Sequence, residues 1–468
     1  MNTPNNEDVL IVGAGPAGMA CAMELYKTGA GFRIVEKDDQ VGGLAKTYRF
    51  GEFLTDNGSH RFITQNKYLY GFIEDILGEG WLKVDRFSSF YIKGKFYKYP
   101  VEWKDALMKM GPVTALRAFV DFLFSKAASR GREPSNFEEY ALSSFGRTLA
   151  EMNVLNYTEK IWGLPCRELS VDWAKQRIKG LTLWSLISNI FKRKGGPKTL
   201  VSQFYYPEHG AGAIYEAIKK KIEGSHPVMF SKEPEVISHN DGMITEVTLK
   251  TGETFSPNFL VSSVPITEFV GLLDPAPPDA VYDASRKLRF RSQVYLFITI
   301  NKPQVSKDQW VYFPEEHIPF GRISEMKNFS ARMAPPDKTS LFIEFFCWED
   351  DEVWNKAKDE LVEISTQWLE RLGFIKKEEI INAYHIKRKN VYPVYELGYK
   401  NKLRVVNEYL DKFSNLLYIG RPGRFKYTNQ DHSLEMGILA ARSIIEGKKY
   451  NLEDIGAESE YFERGYVK

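Results

Sequence analysis

The sequence predicts an α/β fold in which a doubly wound parallel sheet carries an inserted helical segment and a separate antiparallel sheet. Three observations predict it. A strand, a glycine-rich turn and an apolar-periodic stretch follow one another over residues 9–36. Helical periodicity then dominates from about Asp105 to Ile187, and from Glu235 short alternating runs are separated by turn residues. At 468 residues the chain is long enough for more than one core. The expected division is discontinuous: residues 1–85, 205–285 and 410–450 build the parallel-sheet domain, 105–195 a helical lid, and 86–104 with 286–409 a sheet-rich substrate domain.

In order, residues 9–12 (VLIV) read as a buried strand, GAGPAG as a turn, Met19 to Tyr26 as a helix, and Phe32 to Val35 as a second strand ending at Glu36. That is a β-α-β unit. Turns at Asn240-Asp241-Gly242 and Thr251-Gly252 mark the return to a sheet. Residues 291–302 and 340–347 read as longer strands, Leu416 to Gly420 as a short one, and Ser433 to Glu446 as a closing helix.

Composition excludes several classes of protein. Lys plus Arg number 63 against 61 Asp plus Glu, so no strong overall field would gather nucleic acid or acidic lipid. Cys21, Cys166 and Cys347 lie far apart without a CxxC pair, which argues against a zinc site or disulfide framework and fits a reducing, cytoplasmic setting. The start, MNTPNNEDVLIVGAG, lacks the features of a signal peptide. No run reaches the ~20 apolar residues of a transmembrane span. Peripheral membrane contact and a homodimer both remain compatible with the chain.

Gly13, Gly15 and Gly18 stand between the first strand and its helix, where they allow a tight turn, close approach of a pyrophosphate and close helix–strand packing. Glu36, eighteen residues after Gly18, ends the second strand where a carboxylate can accept hydrogen bonds from an adenosine ribose. This is the Rossmann-type dinucleotide fingerprint. A second glycine turn, Val41 to Ala45 (VGGLA), follows soon after and can lie against the rest of a long dinucleotide, which favours FAD over NAD.

With VGAGPAG, VEK and GGLA in this order, the chain resembles the FAD-dependent amine oxidase and protoporphyrinogen oxidase superfamily. Three further stretches resemble its UDP-galactopyranose mutase branch: Asp56 to Phe62 (DNGSHRF), Tyr157 to Pro165 (YTEKIWGLP), and YPV from Tyr392 with GRPGRFKYTNQD from Gly420. The resemblance implies non-covalent FAD held by Gly13, Gly15, Gly18, Glu36, Gly42, Gly43, Leu44, Gly420 and Arg421, with His60 beside the flavin. It further implies that Tyr157 and Trp162 stack on a nucleotide base and that Arg421 and Tyr427 grip a phosphate. Arg322 and Arg177 are further candidate forks for a sugar-nucleotide pyrophosphate, because a guanidinium can hold two phosphate oxygens at once.

The pattern departs from the mutases at Asn429, a candidate substrate contact where they carry Asp, and at Arg61, where they are apolar. HRF, SVDWAKQRIKGL and DHSLEMG are similar to bacterial oxidases of the superfamily associated with surface-polysaccharide synthesis. The expected activity is flavin-mediated dehydrogenation of a nucleotide- or carrier-linked sugar, with His60, Arg421 and Tyr427 in the catalytic roles. The alternatives are redox-neutral ring isomerisation, an amine- or protoporphyrinogen-type oxidation, and a flavin-bearing binding protein without activity.

Overall fold

The computed structural model describes residues 9–64, 66–99, 108–177 and 203–456. Strand β1 (Val9–Val12) sits at the centre of a five-stranded parallel sheet, between β2 (Phe32–Val35) and Phe259–Ser262, with Leu416–Tyr418 and Val228–Met229 at the edges. All four residues of β1 are buried, so the strand is uniformly apolar, as a strand covered on both faces must be. Helix α1 (Pro16–Thr28) follows the glycine turn. Pro16 suits the first helical turn, and Gly29, at φ +72°, ends the helix in the left-handed conformation.

One face of α1 packs on the sheet and the other on the closing helix Gln430–Glu446. The two helices approach so closely that a Cβ on Gly437 would sit 2.0 Å from the Ala17 carbonyl oxygen. The expected turn at Asn240-Asp241-Gly242 joins strands Pro234–Asn240 and Met243–Leu249 of a four-stranded sheet.

A seven-stranded sheet faces the parallel one across the cavity described below. Its longest buried strand, Phe290–Ile300, pairs antiparallel with Thr339–Cys347 on one side and Ile380–Pro393 on the other. The first two match the strands expected at 291–302 and 340–347, with the former ending two residues earlier. The third, IINAYHIKRKNVYP, is polar and was not legible as a strand. Alternation divides this sheet into two faces. Leu296, Ile298, Ile343 and Phe345 pack with Leu361 and Leu369 of helix Lys358–Arg371, whereas Gln293, Glu344 and Phe346 turn to the cavity.

The expected insertion is helical in its described part, with helices Pro112–Ala128, Phe137–Phe145, Leu155–Trp162 and Val171–Arg177. It is tied to the seven-stranded sheet by Lys160, whose ammonium donates to the carbonyls of Phe313 (2.7 Å) and Ile318 (2.8 Å).

Gly437→Val places a branched side chain against the Ala17 carbonyl and should cost about 3 kcal/mol or more through overpacking. The neighbouring Ile438→Val should cost only about 1 kcal/mol. Thermal unfolding measures both, and equal losses would contradict the close helix contact.

Candidate active site

Two glycine turns form one end of a 1360 Å³ cavity. Gly13 has φ +102°, and a Cβ there would lie 2.2 Å from Ser263 Oγ. Gly42 and Gly43 also have positive φ, and the Gly42 N–H donates to the Ala14 carbonyl at 2.8 Å. A Cβ on Gly43 would lie 3.0 Å from the Gly15 Cα, so the turns meet backbone to backbone. No side chain caps α1 at Gly15, which leaves the positive end of the helix dipole and its first N–H groups facing the cavity.

Glu36 stands on the same wall. Its Oε2 accepts from the Ala14 N–H (2.7 Å) and its Oε1 from the Asp38 N–H (3.0 Å), which fixes the carboxylate while leaving lone pairs on each oxygen. Beside it, buried Lys46 pairs with Asp38 at 2.5 Å and Arg388 lies 3.4 Å from the same carboxylate. Burial alone would raise Asp38, but these two cations hold it below the ordinary carboxylate range.

Deeper in, the loop Asn57–Arg61 faces the seven-stranded sheet. Half-buried Arg322 and buried Glu344 form a two-pronged ion pair with Nη2 2.8 Å from Oε1. Asn57 offers Oδ1 and Nδ2, Gln293 its Nε2 and Thr428 its Oγ1, all buried on the cavity wall without a protein partner. Buried polar groups are ordinarily hydrogen-bonded, so this cluster offers unspent donors and acceptors to a bound molecule.

His60 Nε2 lies 3.1 Å from the Asn57 carbonyl oxygen. Burial, followed by the charge of Arg421, pushes the imidazole down to about 4 against the pull of the Asn57 and Leu44 carbonyls. It is therefore neutral at physiological pH. Arg421 follows strand Leu416–Tyr418 at the carboxyl edge of the parallel sheet, where α/β folds place ligand contacts. Its Nε donates to the Thr428 carbonyl (2.9 Å) and its Nη1 to the Val391 carbonyl (3.3 Å). The guanidinium lies 4.9 Å from the Tyr427 ring and 5.4 Å from the Tyr392 ring, and those rings stack at 5.3 Å. Among the described residues no carboxylate pairs with Arg421.

The structure distributes the other candidates unevenly. Tyr157, Leu44, Gly420, Tyr427 and Asn429 line the cavity, and the Asn429 N–H donates to His432 Nδ1 (3.1 Å) at the start of the closing helix. Gly18 and Gly42 serve close packing instead, against the Gly13 carbonyl and Lys46.

Trp162 corrects an expectation. It is 1% exposed and lies behind the wall, edge-on to Trp173 at 4.9 Å, because its position on the helix turns it into the core. Trp173 occupies the wall itself. Arg322 reaches the cavity, but its guanidinium fork is filled by Glu344, so it is no longer a free pyrophosphate clamp. The side chain of Arg177 lies outside the described residues. Lys46, Asn57, Gln293 and Glu344 were missed. Of these, Asn57 lay inside the singled-out stretch DNGSHRF and Glu344 stood as the single charge inside the apolar run LFIEFFC, whereas Lys46 and Gln293 carried no signal.

Comparison with known proteins agrees with this geometry. Residues 16–401 match the model of the flavin containing amine oxidoreductase family. The Klebsiella pneumoniae protein named "Probable UDP-galactopyranose mutase" is 27% identical over 177 residues, which are 37% of this chain and 45% of that protein. Amine oxidase [flavin-containing] B of Sus scrofa is 32% identical over 120 residues, 25% of this chain and 21% of that protein. The chain thus spans less than half the length of these curated relatives. Among solved structures, reduced UDP-galactopyranose mutase superposes with a TM-score of 0.84 at 23% identity, covering 97% of this chain and 98% of that one. A putrescine oxidase double mutant gives 0.67 at 15% identity, covering 95% and 100%. At these identities the structural likenesses show the fold.

His60 supplies a pH test. Because its folded value lies below the ordinary 6.5, its contribution to stability is present above pH 6.5 and drains away as pH falls toward about 4. In His60→Gln, the loss of thermal stability between those pH values should be shallower than in the native chain. Histidine nitrogen NMR should show the signal missing from that variant staying neutral at pH 5, whereas titration near 6.5 would refute the buried, Arg-flanked placement.

Proposed function

The chain belongs to the flavin containing amine oxidoreductase family, and on that premise we propose that this FAD-dependent enzyme dehydrogenates an activated sugar, linked to a nucleotide or to a carrier. The observation that carries the reading is Arg421, a fixed guanidinium without a carboxylate partner among the described residues, lodged against two stacked tyrosines in the cavity that the glycine turns open into.

The residues fit FAD. A cradle of glycine backbone, an uncapped helix start and an oriented carboxylate suit a pyrophosphate and a ribose, and the unpartnered Asn57 and Gln293 suit the polar edge of a flavin ring. Gly13, Gly15, Gly43 and Glu36 would hold the dinucleotide, with His60 alongside. When bound, FAD supplies the hydride-accepting centre, and the chain supplies binding, orientation and electrostatics. In this reading 1–85, 205–285 and 410–450 carry the cofactor, the helical segment covers the substrate, and the seven-stranded sheet forms the opposite wall.

The chain's own contribution follows from charge. Glu344 pairs with Arg322 and His60 is held neutral, whereas Arg421, which no carboxylate pairs with among the described residues, keeps a charge that can bind a phosphate on the activated sugar. Tyr427 and Tyr392 flank that anion, and Tyr157 and Trp173 offer apolar faces for the remainder of the substrate.

The likeness to UDP-galactopyranose mutases favours a second reading, redox-neutral ring isomerisation of a nucleotide sugar. Asn429 and Arg61, which depart from the mutase-like pattern, favour dehydrogenation.

Gly15→Ala separates cofactor binding from folding. Its Cβ would meet only the Gly43 Cα, at 3.8 Å, so the apoprotein should keep its Tm. The methyl group stands in the pyrophosphate path, so flavin occupancy should fall. Full occupancy in that variant would move the phosphate site elsewhere.

Arg421→Ala should weaken binding of a nucleotide sugar by about 1.5–3 kcal/mol, the loss of a charge-assisted contact. Under nitrogen, the oxidised holoenzyme should bleach in a single turnover on mixing with its sugar substrate. A flavin that stays oxidised across a panel of nucleotide sugars, with isomerisation appearing only after prior chemical reduction, would establish the second reading instead.

A further inference from the structure

Seven of the fourteen exposed large apolar side chains among the described residues lie between Met108 and Phe124. On helix Pro112–Ala128, Val113, Leu116, Val120, Leu123 and Phe124 recur at the three- and four-residue spacing of a single helical face, 39% to 81% exposed. A surface helix ordinarily buries such a stripe. This one buries Ala118 and Phe122 and leaves the stripe outside.

The charges follow the same division. The helix's one acid, Asp121, is turned toward the chain, where it accepts from the Thr148 N–H at 3.2 Å. Arg117 and Lys126 on the helix and Arg130 and Arg132 just beyond it are exposed, and among the described residues none of the four has a carboxylate partner. Phe119 links this surface to the cavity, being 46% exposed while it also lines the cavity with Met110 and Ala115. Behind them Phe145, Leu149 and Met152 continue the lining. One cavity therefore runs from the polar end at Arg421 to an apolar lobe beneath an apolar, basic helix.

A 17-residue helix is about 25 Å long, and no described helix is long and apolar enough to cross a membrane. An apolar face bordered by cations is the pattern of a helix lying in the headgroup layer. We propose that helix Pro112–Ala128 docks on an anionic bilayer and that the apolar lobe takes the hydrocarbon chain of a lipid-linked sugar phosphate from it. The inference rests on the reading above that Arg421 binds the phosphate of an activated sugar, and it narrows the carrier to a lipid. A protein partner would explain the exposed stripe, but not its continuity with an apolar cavity lobe.

Cosedimentation of the holoprotein with phosphatidylcholine vesicles, with and without phosphatidylglycerol, tests the surface. The holoprotein should partition onto the anionic vesicles, and the double variant Leu116→Glu, Phe124→Glu should reduce that partition by about tenfold or more while keeping its flavin spectrum and Tm. Calorimetric titration with farnesyl phosphate tests the lobe: the native chain should bind it saturably, and Ala115→Trp should abolish that binding without altering vesicle partition. A holoprotein that stays in the supernatant with anionic vesicles would overturn the proposal. So would a dimer that the double variant converts to monomer, which would give the face to a second copy, or farnesyl phosphate binding that Ala115→Trp leaves intact. Both measurements read binding rather than turnover, so a flavin that does not bleach with sugars defeats the redox reading alone.

Discussion

Helix α1 is held between two backbone contacts that admit no side chain, and the site depends on both. At one end Gly18 packs over the Gly13 carbonyl, where a Cβ would lie 1.9 Å away, and along its flank Gly437 packs over the Ala17 carbonyl. The first contact fixes the helix start above the tight turn of β1. The second brings in the closing helix, and with it the segment Gly420–Asn429 that carries Arg421 and Tyr427. Dispersion and burial are strongest where backbones approach most closely. The glycine turn at Gly13 and Arg421, more than 400 residues apart in sequence, are thereby set on one packed unit.

The electrostatics of the cavity follow from how its charges are paired. A buried ion pair gains little stability, because desolvation opposes the Coulomb attraction, but it fixes where charge is not available. Glu344 neutralises Arg322, Asp38 draws Lys46 and Arg388 together, and burial, aided by the charge of Arg421, keeps His60 neutral. Arg421 is held instead by carbonyls and aromatic faces, which orient a guanidinium without cancelling its charge. The same cavity loses polarity toward helix Pro112–Ala128, so a ligand that fits it throughout is anionic at one end and apolar at the other.

Much of the fold was legible because its signals are local. VLIV, the glycine turn and FRIV announce the β-α-β unit within 27 residues, and the buried strands Phe290–Ile300 and Thr339–Cys347 read directly as apolar runs. The polar strand Ile380–Pro393 was hidden, because its identity comes from pairing with Phe290–Ile300 rather than from a period of its own. Glu36 and Arg421 could be found because each follows the end of a parallel strand, a position that sequence marks and where this fold class gathers ligands.

The sequence by itself determined the fold class, the cofactor cradle, and the place of a candidate arginine just after the final parallel strand. Tertiary structure alone decided which aromatic faces the cavity. Trp162 and Trp173 lie eleven residues apart on neighbouring helices, and only their edge-on packing at 4.9 Å puts one behind the wall and the other on it. It also decided that Arg322 is already answered by Glu344, a partner brought opposite by the register of two antiparallel strands. The physical reason is common to both. A local pattern fixes the conformation of a segment, whereas the direction a side chain faces and the charge it meets are set by segments that come together only when the sheets and helices close around the cavity.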